Sequence, residues 1–189
     1  MSKLGDMPAD TTDFHATQEA VLSGGRSALF TVSQSVDYAW EFHVVGYINC
    51  AGEGDRAMRL QVNDDTLASA YRGLIHRHFI NQDGTRSHDV VNADSEGGGG
   101  AGLWVCGATW STNSTVTASG MLGGVSSAGR VFESRYASRP DIAGDARCLR
   151  GETVARWGGA STITSVRFQM TGMAASFTGR ITLRAVWGT

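Results

Sequence analysis

The chain has 189 residues, a length that suits one domain with a sizeable core. Its 16 basic and 18 acidic residues give a net charge of −2, which leaves no overall electrostatic footprint for nucleic acid or a membrane surface. Glycine is frequent at 25 residues and proline is rare at 2, while charged residues make up only 18%. This composition favours a β-rich protein with many tight turns over a helical protein.

The first 27 residues show no regular spacing of apolar side chains and end in Ser-Gly-Gly-Arg. We interpret residues 1–27 as an N-terminal arm or extended segment, with a short helix over 15–22 as an alternative. The polar start lacks the apolar centre of a secretory signal, and no run approaches the ~18 apolar residues of a membrane helix. We therefore expect the protein to be made in a cytoplasm.

From residue 28 onward the pattern is typical of β-strands. Segments rich in β-branched and aromatic residues alternate with linkers of Gly, Ser, Asn and Asp, and none carries a helical apolar stripe. Recurrent strands of this kind predict one all-β domain over 28–189, an antiparallel β-sandwich or barrel. The predicted strands cover residues 28–33, 38–49, 56–63, 71–80, 103–107, 115–122, 130–138, 148–157, 163–171 and 180–187.

Two adjacent carboxylates, Asp64 and Asp65, follow the alternating strand 56–63. Neighbours on a strand point to opposite faces, whereas the carboxyls of an acid–base pair must converge. No EF-hand pattern surrounds them, although a calcium site completed by distant loops is an alternative. We predict instead a structural corner, in which Asn63 and Asp65 bind loop backbone and Tyr71 packs at the start of the next strand.

Two other groups of residues are candidate contacts with ligands or subunits. His76 and His78 are two apart on a predicted strand and therefore share a face, with Arg77 opposite, so they are weak metal candidates or part of an interface-facing edge. Among five tryptophans, Trp104 and Trp110 flank a loop after the glycine run 97–100, and we expect them to be exposed as glycan or interface contacts.

The remaining reactive residues give no catalytic pattern. Cys50, Cys106 and Cys148 are an odd, widely spaced set, which favours buried free thiols over a disulfide framework. The chain contains neither a G-x-S-x-G nucleophile motif nor a phosphate-binding loop. We expect a protein that is not an enzyme and that has no cofactor.

Two stretches together carry a family resemblance: MRLQVNDDTLASAYR at 58–72 and ITSVRFQMTGMAASFTGRITLRAVWGT at 163–189. They resemble a group of small jelly-roll proteins of tailed-bacteriophage virions, which show L-x-L-Q-x-N-G-D-T and a following Tyr, then I-T-x-I-x-F and a closing G-S-x-x-x-L-Y-G. Asp64 stands where that group has the turn glycine, and Arg180 and residues 185–187 also depart from it. The matching residues are Leu60, Gln61, Asn63, Asp65, Thr66, Tyr71, Ile163, Thr164, Val166, Phe168, Phe177, Gly179, Leu183 and Gly188.

The resemblance implies a jelly-roll-like sandwich with a role in a virion. The implied function is a capsid decoration protein that assembles as a symmetric homo-oligomer, expected to be a trimer, on the major capsid protein. The alternative is a tail, neck or baseplate fibre or receptor-binding module that recognises a host surface glycan. A glycan depolymerase fits less well, because such enzymes normally have longer β-helical chains. Nucleic acid and membranes are not expected partners.

Overall fold

The computed structural model describes residues 17–32, 39–51, 56–92, 101–108, 113–123, 129–141, 147–159 and 162–186. Within these residues the chain forms twelve β-strands and one short 3₁₀ turn, Ala68–Ala70. The strands are β1 Gln18–Gly25, β2 Ser27–Thr31, β3 Ala39–Asn49, β4 Arg56–Val62, β5 Tyr71–Ile80, β6 Arg86–Asn92, β7 Leu103–Ala108, β8 Ser114–Gly123, β9 Arg130–Pro140, β10 Cys148–Trp157, β11 Ser165–Met170 and β12 Ser176–Val186.

The strands form two antiparallel sheets that pack as a sandwich, which confirms the predicted all-β fold class. Eight strands make the larger sheet in the order β1-β12-β3-β8-β9-β10-β5-β6, and four make the smaller one in the order β2-β11-β4-β7. Every pairing is antiparallel. We call the side of the larger sheet that faces away from the smaller sheet the outer face.

Phenylalanines join the two sheets at the centre of the core. Phe42 of the larger sheet stacks on Phe132 with ring centroids 5.7 Å apart, and meets Phe168 of the smaller sheet edge-on at 5.6 Å. Phe30 contacts Phe168 in the same edge-on manner at 5.7 Å. These side chains lie on the inward positions of alternating strands, where burial of large apolar area is the main source of stability.

Two strands, β1 and β6, were not predicted from sequence. Strand β1 pairs with β12, so residues 18–25, which we assigned to the arm, belong to the larger sheet; residues 1–16 lie outside the described part. Strand β6 pairs with β5 through a turn at Asp83-Gly84, where Gly84 has a φ of 80°. Both are edge strands with half-exposed apolar residues, which is why their sequences carry little strand signal.

Strand β4 alternates as predicted, but both of its faces are buried. Arg59 and Gln61 occupy the face opposite Met58, Leu60 and Val62, and Arg59 is only 2% exposed. The Arg59 guanidinium lies 5.9 Å from the centre of the Trp104 ring. A cation stacked on an indole in this way retains a favourable electrostatic contact after it loses water.

Candidate functional site

The corner predicted at Asn63–Tyr71 is built on a tight turn after β4. The Asp65 N–H donates to the Val62 carbonyl at 2.9 Å, and the two residues between them, Asn63 and Asp64, both have φ near 53°. Two successive positive φ angles are the pattern of a type I′ turn, a conformation that Asn and Asp tolerate better than most side chains. The local sequence therefore explains where β4 ends.

Asn63 ties this turn to the segment that leads into β11. Its side-chain oxygen accepts hydrogen bonds from the N–H groups of Thr164 at 2.7 Å and Ser165 at 3.1 Å. Its amide nitrogen donates to the Thr162 carbonyl at 2.8 Å. One side chain thus satisfies three backbone groups of a neighbouring loop, which is the backbone role that the sequence suggested for Asn63.

Asp65 and Tyr71 close the other side of the corner. The Asp65 carboxylate accepts one hydrogen bond from the Leu67 N–H and another from the Trp157 indole N–H, both at 2.9 Å. The Tyr71 hydroxyl accepts from the Val62 N–H at 3.1 Å and donates to the Asp65 carbonyl at 2.9 Å. Tyr71 is 2% exposed and opens β5, and burial raises the pKa of its hydroxyl, so it remains a neutral donor.

Asp64 points away from Asp65 and pairs with a strand of the smaller sheet. The Arg167 guanidinium donates to both of its oxygens, at 2.7 and 3.1 Å. These charge-assisted bonds hold the pKa of Asp64 below its ordinary value of 3.8. The two carboxylates thus have separate partners in the protein, which is not the convergent arrangement that an acid–base pair needs.

The expectation that Trp104 is exposed is wrong. Its side chain is buried at 2% exposure on β7, a strand whose residues are all buried. A run of six apolar or small residues gives no alternation from which an exposed face could be recognised. Trp104 therefore contributes to the core and offers no surface to a glycan, while Trp110 lies outside the described residues.

His76 and His78 lie on the outer face of β5, with Arg77 buried opposite, as the strand period predicted. The Arg77 guanidinium forms a two-point ion pair with Asp89 of β6, at 2.9 and 2.7 Å. His78 faces His88 of β6, with ring centroids 6.3 Å apart. Among the described residues, no group of three or more His, Cys, Asp or Glu side chains is placed to hold a metal ion.

The outer face divides into two halves of different charge. We call the strands β1, β12, β3 and β8 the paired half. There, a guanidinium nitrogen of Arg184 lies 2.6 Å from a carboxylate oxygen of Glu41, and one of Arg180 lies 3.5 Å from a carboxylate oxygen of Glu19. On β9, β10, β5 and β6, the basic half, six arginines face solvent against two glutamates, an excess of four positive charges. The arginines are Arg72, Arg86, Arg135, Arg139, Arg150 and Arg156, and the glutamates are Glu133 and Glu152.

The outer face also carries an apolar strip at one end of its strands. Met121, Val154 and Leu74 lie in one row across β8, β10 and β5, and Glu133 holds the β9 position of that row, between Met121 and Val154. Val131 adds a fourth apolar side chain in the next row of β9. These four side chains are between 45% and 56% exposed. Exposed apolar side chains grouped on one face suit association, and in this strip Glu133 separates Met121 from Val154.

The three thiols are free and differ in access. Cys50 and Cys106 are fully buried, and burial raises the pKa of the Cys106 thiol to about 12. Cys148 starts β10 at the edge of the basic half and is partly exposed. The expectation that the cysteines form no disulfide is confirmed. The expectation of burial is confirmed for Cys50 and Cys106 and is wrong for Cys148, which is partly exposed.

Comparisons with protein-family models, with curated proteins and with solved structures find no match for this chain. Among the described residues, no helix is long and apolar enough to cross a membrane. The corner and the outer face are the two regions of the structure that bear on function.

Proposed function

We propose that this chain is a structural protein of a tailed-bacteriophage virion, a capsid decoration protein that acts as a symmetric homo-oligomer. The resemblance of the corner and of the last two strands to small jelly-roll virion proteins suggests this role. The apolar strip, Leu74, Met121, Val131 and Val154, is the observation that supports association most directly. Its side chains are about half exposed, and burying them against another copy would remove apolar surface from water.

The sheet edges provide a second reason to expect association. Strands β6 and β2 are edges of the two sheets in the described part of the chain. β2 alternates exposed with buried residues, and β6 contains exposed and partly buried residues. Unpaired edges of this kind are usually covered by a neighbouring subunit or protected by charge. Closed rotational symmetry would cover the same surface in every subunit, and a trimer is the state we propose.

Light scattering after size exclusion tests the oligomer. We expect the purified protein to elute with the mass of three chains, and Val154→Asp to shift it toward the monomer because a carboxylate would be buried in the interface. Val21→Asp is the matched control, since Val21 is 70% exposed on β1 at the opposite edge of the sheet. A protein that is monomeric at every concentration and does not bind particles lacking it would contradict the proposal.

The location in the virion needs a separate experiment. We propose the head over a tail or neck fibre as the location, so the major capsid protein is the proposed partner. Cross-linking mass spectrometry on intact particles should give links between this chain and the major capsid protein. Links only to tail, neck or baseplate proteins would assign the alternative, a fibre or receptor-binding module.

A further inference from the structure

Two depressions lie side by side on the outer face and share one arginine. The first, about 320 Å³, is lined by His43, Thr117, Ser119, Ala137 and Arg150. It exists because the short side chains of β8 and β9 lie between longer ones on the neighbouring strands. Arg150 lies between this depression and the next, so one extended ligand can contact the side chains of both depressions.

The second depression is larger, about 660 Å³, and lies toward the edge strand β6. His78, Ile80, Arg86, Cys148 and Arg150 contribute to its lining. We call the two depressions together the trough. It crosses strands β3 to β6 in sheet order, and Arg150 and Arg86 lie on strands two spacings apart, roughly 10 Å across the sheet.

The charges along the trough are predominantly positive and unneutralised. In the described part of the chain, the side chains of Arg86, Arg139 and Arg150 take part in no ion pair or hydrogen bond. The one carboxylate in the lining, Glu152, lies 3.6 Å from Arg135, which balances it. The remaining guanidinium groups therefore have their full hydrogen-bonding capacity available for an external anion.

We infer that the trough binds an acidic polysaccharide, with Arg150 at its centre and Arg86 and Arg139 beside it. Guanidinium groups bind carboxylates and sulfates in a two-point geometry, and hydroxyls such as those of Thr117 and Ser119 suit sugar hydroxyls. The ligand is an extended chain with a negative charge on every one or two sugar rings. This site is independent of Trp104, and it holds whether the protein belongs to the head or to the tail.

A polysaccharide fits the trough better than a single-stranded nucleic acid. Proteins that bind single strands stack bases on aromatic side chains along a positive groove. Tyr136 and Phe79 contribute to the lining, but Tyr136 is 3% exposed, and the Phe79 ring faces the Arg77 guanidinium on the opposite side of β5. The described exposed residues on the outer face of the basic half include no Phe, Tyr or Trp. Cations and hydroxyls without a stacking platform match a charged sugar chain.

Binding to immobilised polygalacturonate and to heparin tests the inference with the full chain. The wild-type protein should bind both probes, should release them as salt rises, and should ignore neutral dextran. Arg150→Ala should weaken binding by at least about tenfold, since a hydrogen-bonded charge pair is lost, and Arg86→Ala with Arg150→Ala should abolish it. These positions are exposed, and thermal unfolding of each variant shows that it still folds.

Arg184→Ala is the matched control, because Arg184 is an exposed arginine on the paired half of the same sheet. Its binding should stay within about twofold of wild type, as expected for a surface charge outside the contact. If Arg150→Ala fails to fold, Arg86→Ala and Arg139→Ala replace it. No binding by the wild type, equal loss in Arg184→Ala, or tighter binding of a single-stranded oligonucleotide than of either polysaccharide would each overturn the inference.

The same samples separate this inference from the proposed oligomer. Val154→Asp should change the mass by light scattering and leave polysaccharide binding per chain intact, because the apolar strip lies outside the trough. Arg150→Ala should change binding and leave the mass intact. A protein that is monomeric and still binds polygalacturonate would thus contradict the proposed oligomer and support polysaccharide binding at the trough.

Discussion

In the corner, the Asp65 carboxylate accepts hydrogen bonds from the Trp157 indole and the Leu67 backbone, and Asp64 is paired with Arg167. On the basic half, the guanidinium groups of Arg86 and Arg150 face solvent beside two open depressions. Charged side chains that look equally reactive in the sequence thus differ in whether their hydrogen-bonding groups are already used within the protein. The corner uses its polar groups to hold the fold, whereas the basic half keeps its cations available for a partner.

The largest expected effect on stability comes from Tyr71, the most buried member of the corner. Tyr71→Ala should lower the free energy of unfolding by about 3–5 kcal/mol, through loss of buried aromatic area and a residual cavity. Tyr71→Phe should cost about 1–3 kcal/mol, because the Val62 N–H loses its partner. Chemical denaturation followed by circular dichroism measures both values.

Tyr47→Phe is the control for the Tyr71 hydroxyl. The Tyr47 hydroxyl donates to Asp141 at 3.0 Å on the exposed side of β3, so its removal should change stability by less than about 0.5 kcal/mol. Equal losses in Tyr71→Phe and Tyr47→Phe would mean that the corner is not a special source of stability.

Asp65→Ala should have the next largest effect. The Trp157 indole N–H and the Leu67 N–H would lose their acceptor, at a cost of about 1–3 kcal/mol. Asp65→Asn, which retains an acceptor oxygen, should lose less. Binding to polygalacturonate should be unaffected by either change; loss of binding with unchanged stability would make Asp65 a ligand-binding residue.

A smaller, pH-dependent effect is expected at Asp64. Because Arg167 lowers the folded-state pKa of Asp64, the pair stabilises the fold above the ordinary carboxyl pKa of 3.8, and this contribution disappears as pH falls through the lower folded value. Asp64 is about half exposed, so Asp64→Asn should cost only about 0.2–1 kcal/mol near neutral pH. Denaturation midpoints of both proteins should converge in acid, and a constant difference would assign the effect to the turn conformation.

The smallest effect on stability is expected from modification of Cys148. A maleimide should label Cys148 in the native protein and spare Cys50 and Cys106, because both are buried and the Cys106 thiol holds its proton. The adduct should leave the unfolding midpoint unchanged but reduce polysaccharide binding, since Cys148 lines the trough. Peptide mass mapping locates the label, Cys148→Ser is the control, and labelling of Cys106 at a similar rate would reveal opening of the core.

Much of the fold could be predicted from local pattern. The strands expected over 71–80 and 148–157 coincide with β5 and β10, because segments with apolar and β-branched residues between polar, turn-forming linkers indicate strands. Strands β1 and β6 were missed, since edge strands keep few apolar residues. The exposure of Trp104 was predicted wrongly, because the run of apolar and small residues in β7 does not show which face of the strand meets solvent.

The corner likewise contains residues that could be predicted from the sequence and partners of those residues that could not. Asn63, Asp65 and Tyr71 could be chosen from the sequence as turn-formers and a strand start, which depend on near neighbours. The distant partners of Asn63 and Asp65 are Trp157, Thr164 and Ser165, at separations of 92 to 102 residues. Only packing of the two sheets determines which distant groups meet this turn.

The sequence by itself determined an all-β chain, a net charge of −2 and which residues share a face in strands such as β4 and β5, because alternation depends on neighbouring residues alone. The sequence did not reveal the basic half, because the near-neutral net charge of the whole chain conceals a local excess of four positive charges. The order β9-β10-β5-β6 brings Arg86 close to Arg139 and Arg150, and Arg72 beside Arg156, from distant parts of the chain. That neighbourhood is decided by long-range strand pairing, which depends on how the whole sandwich buries its core.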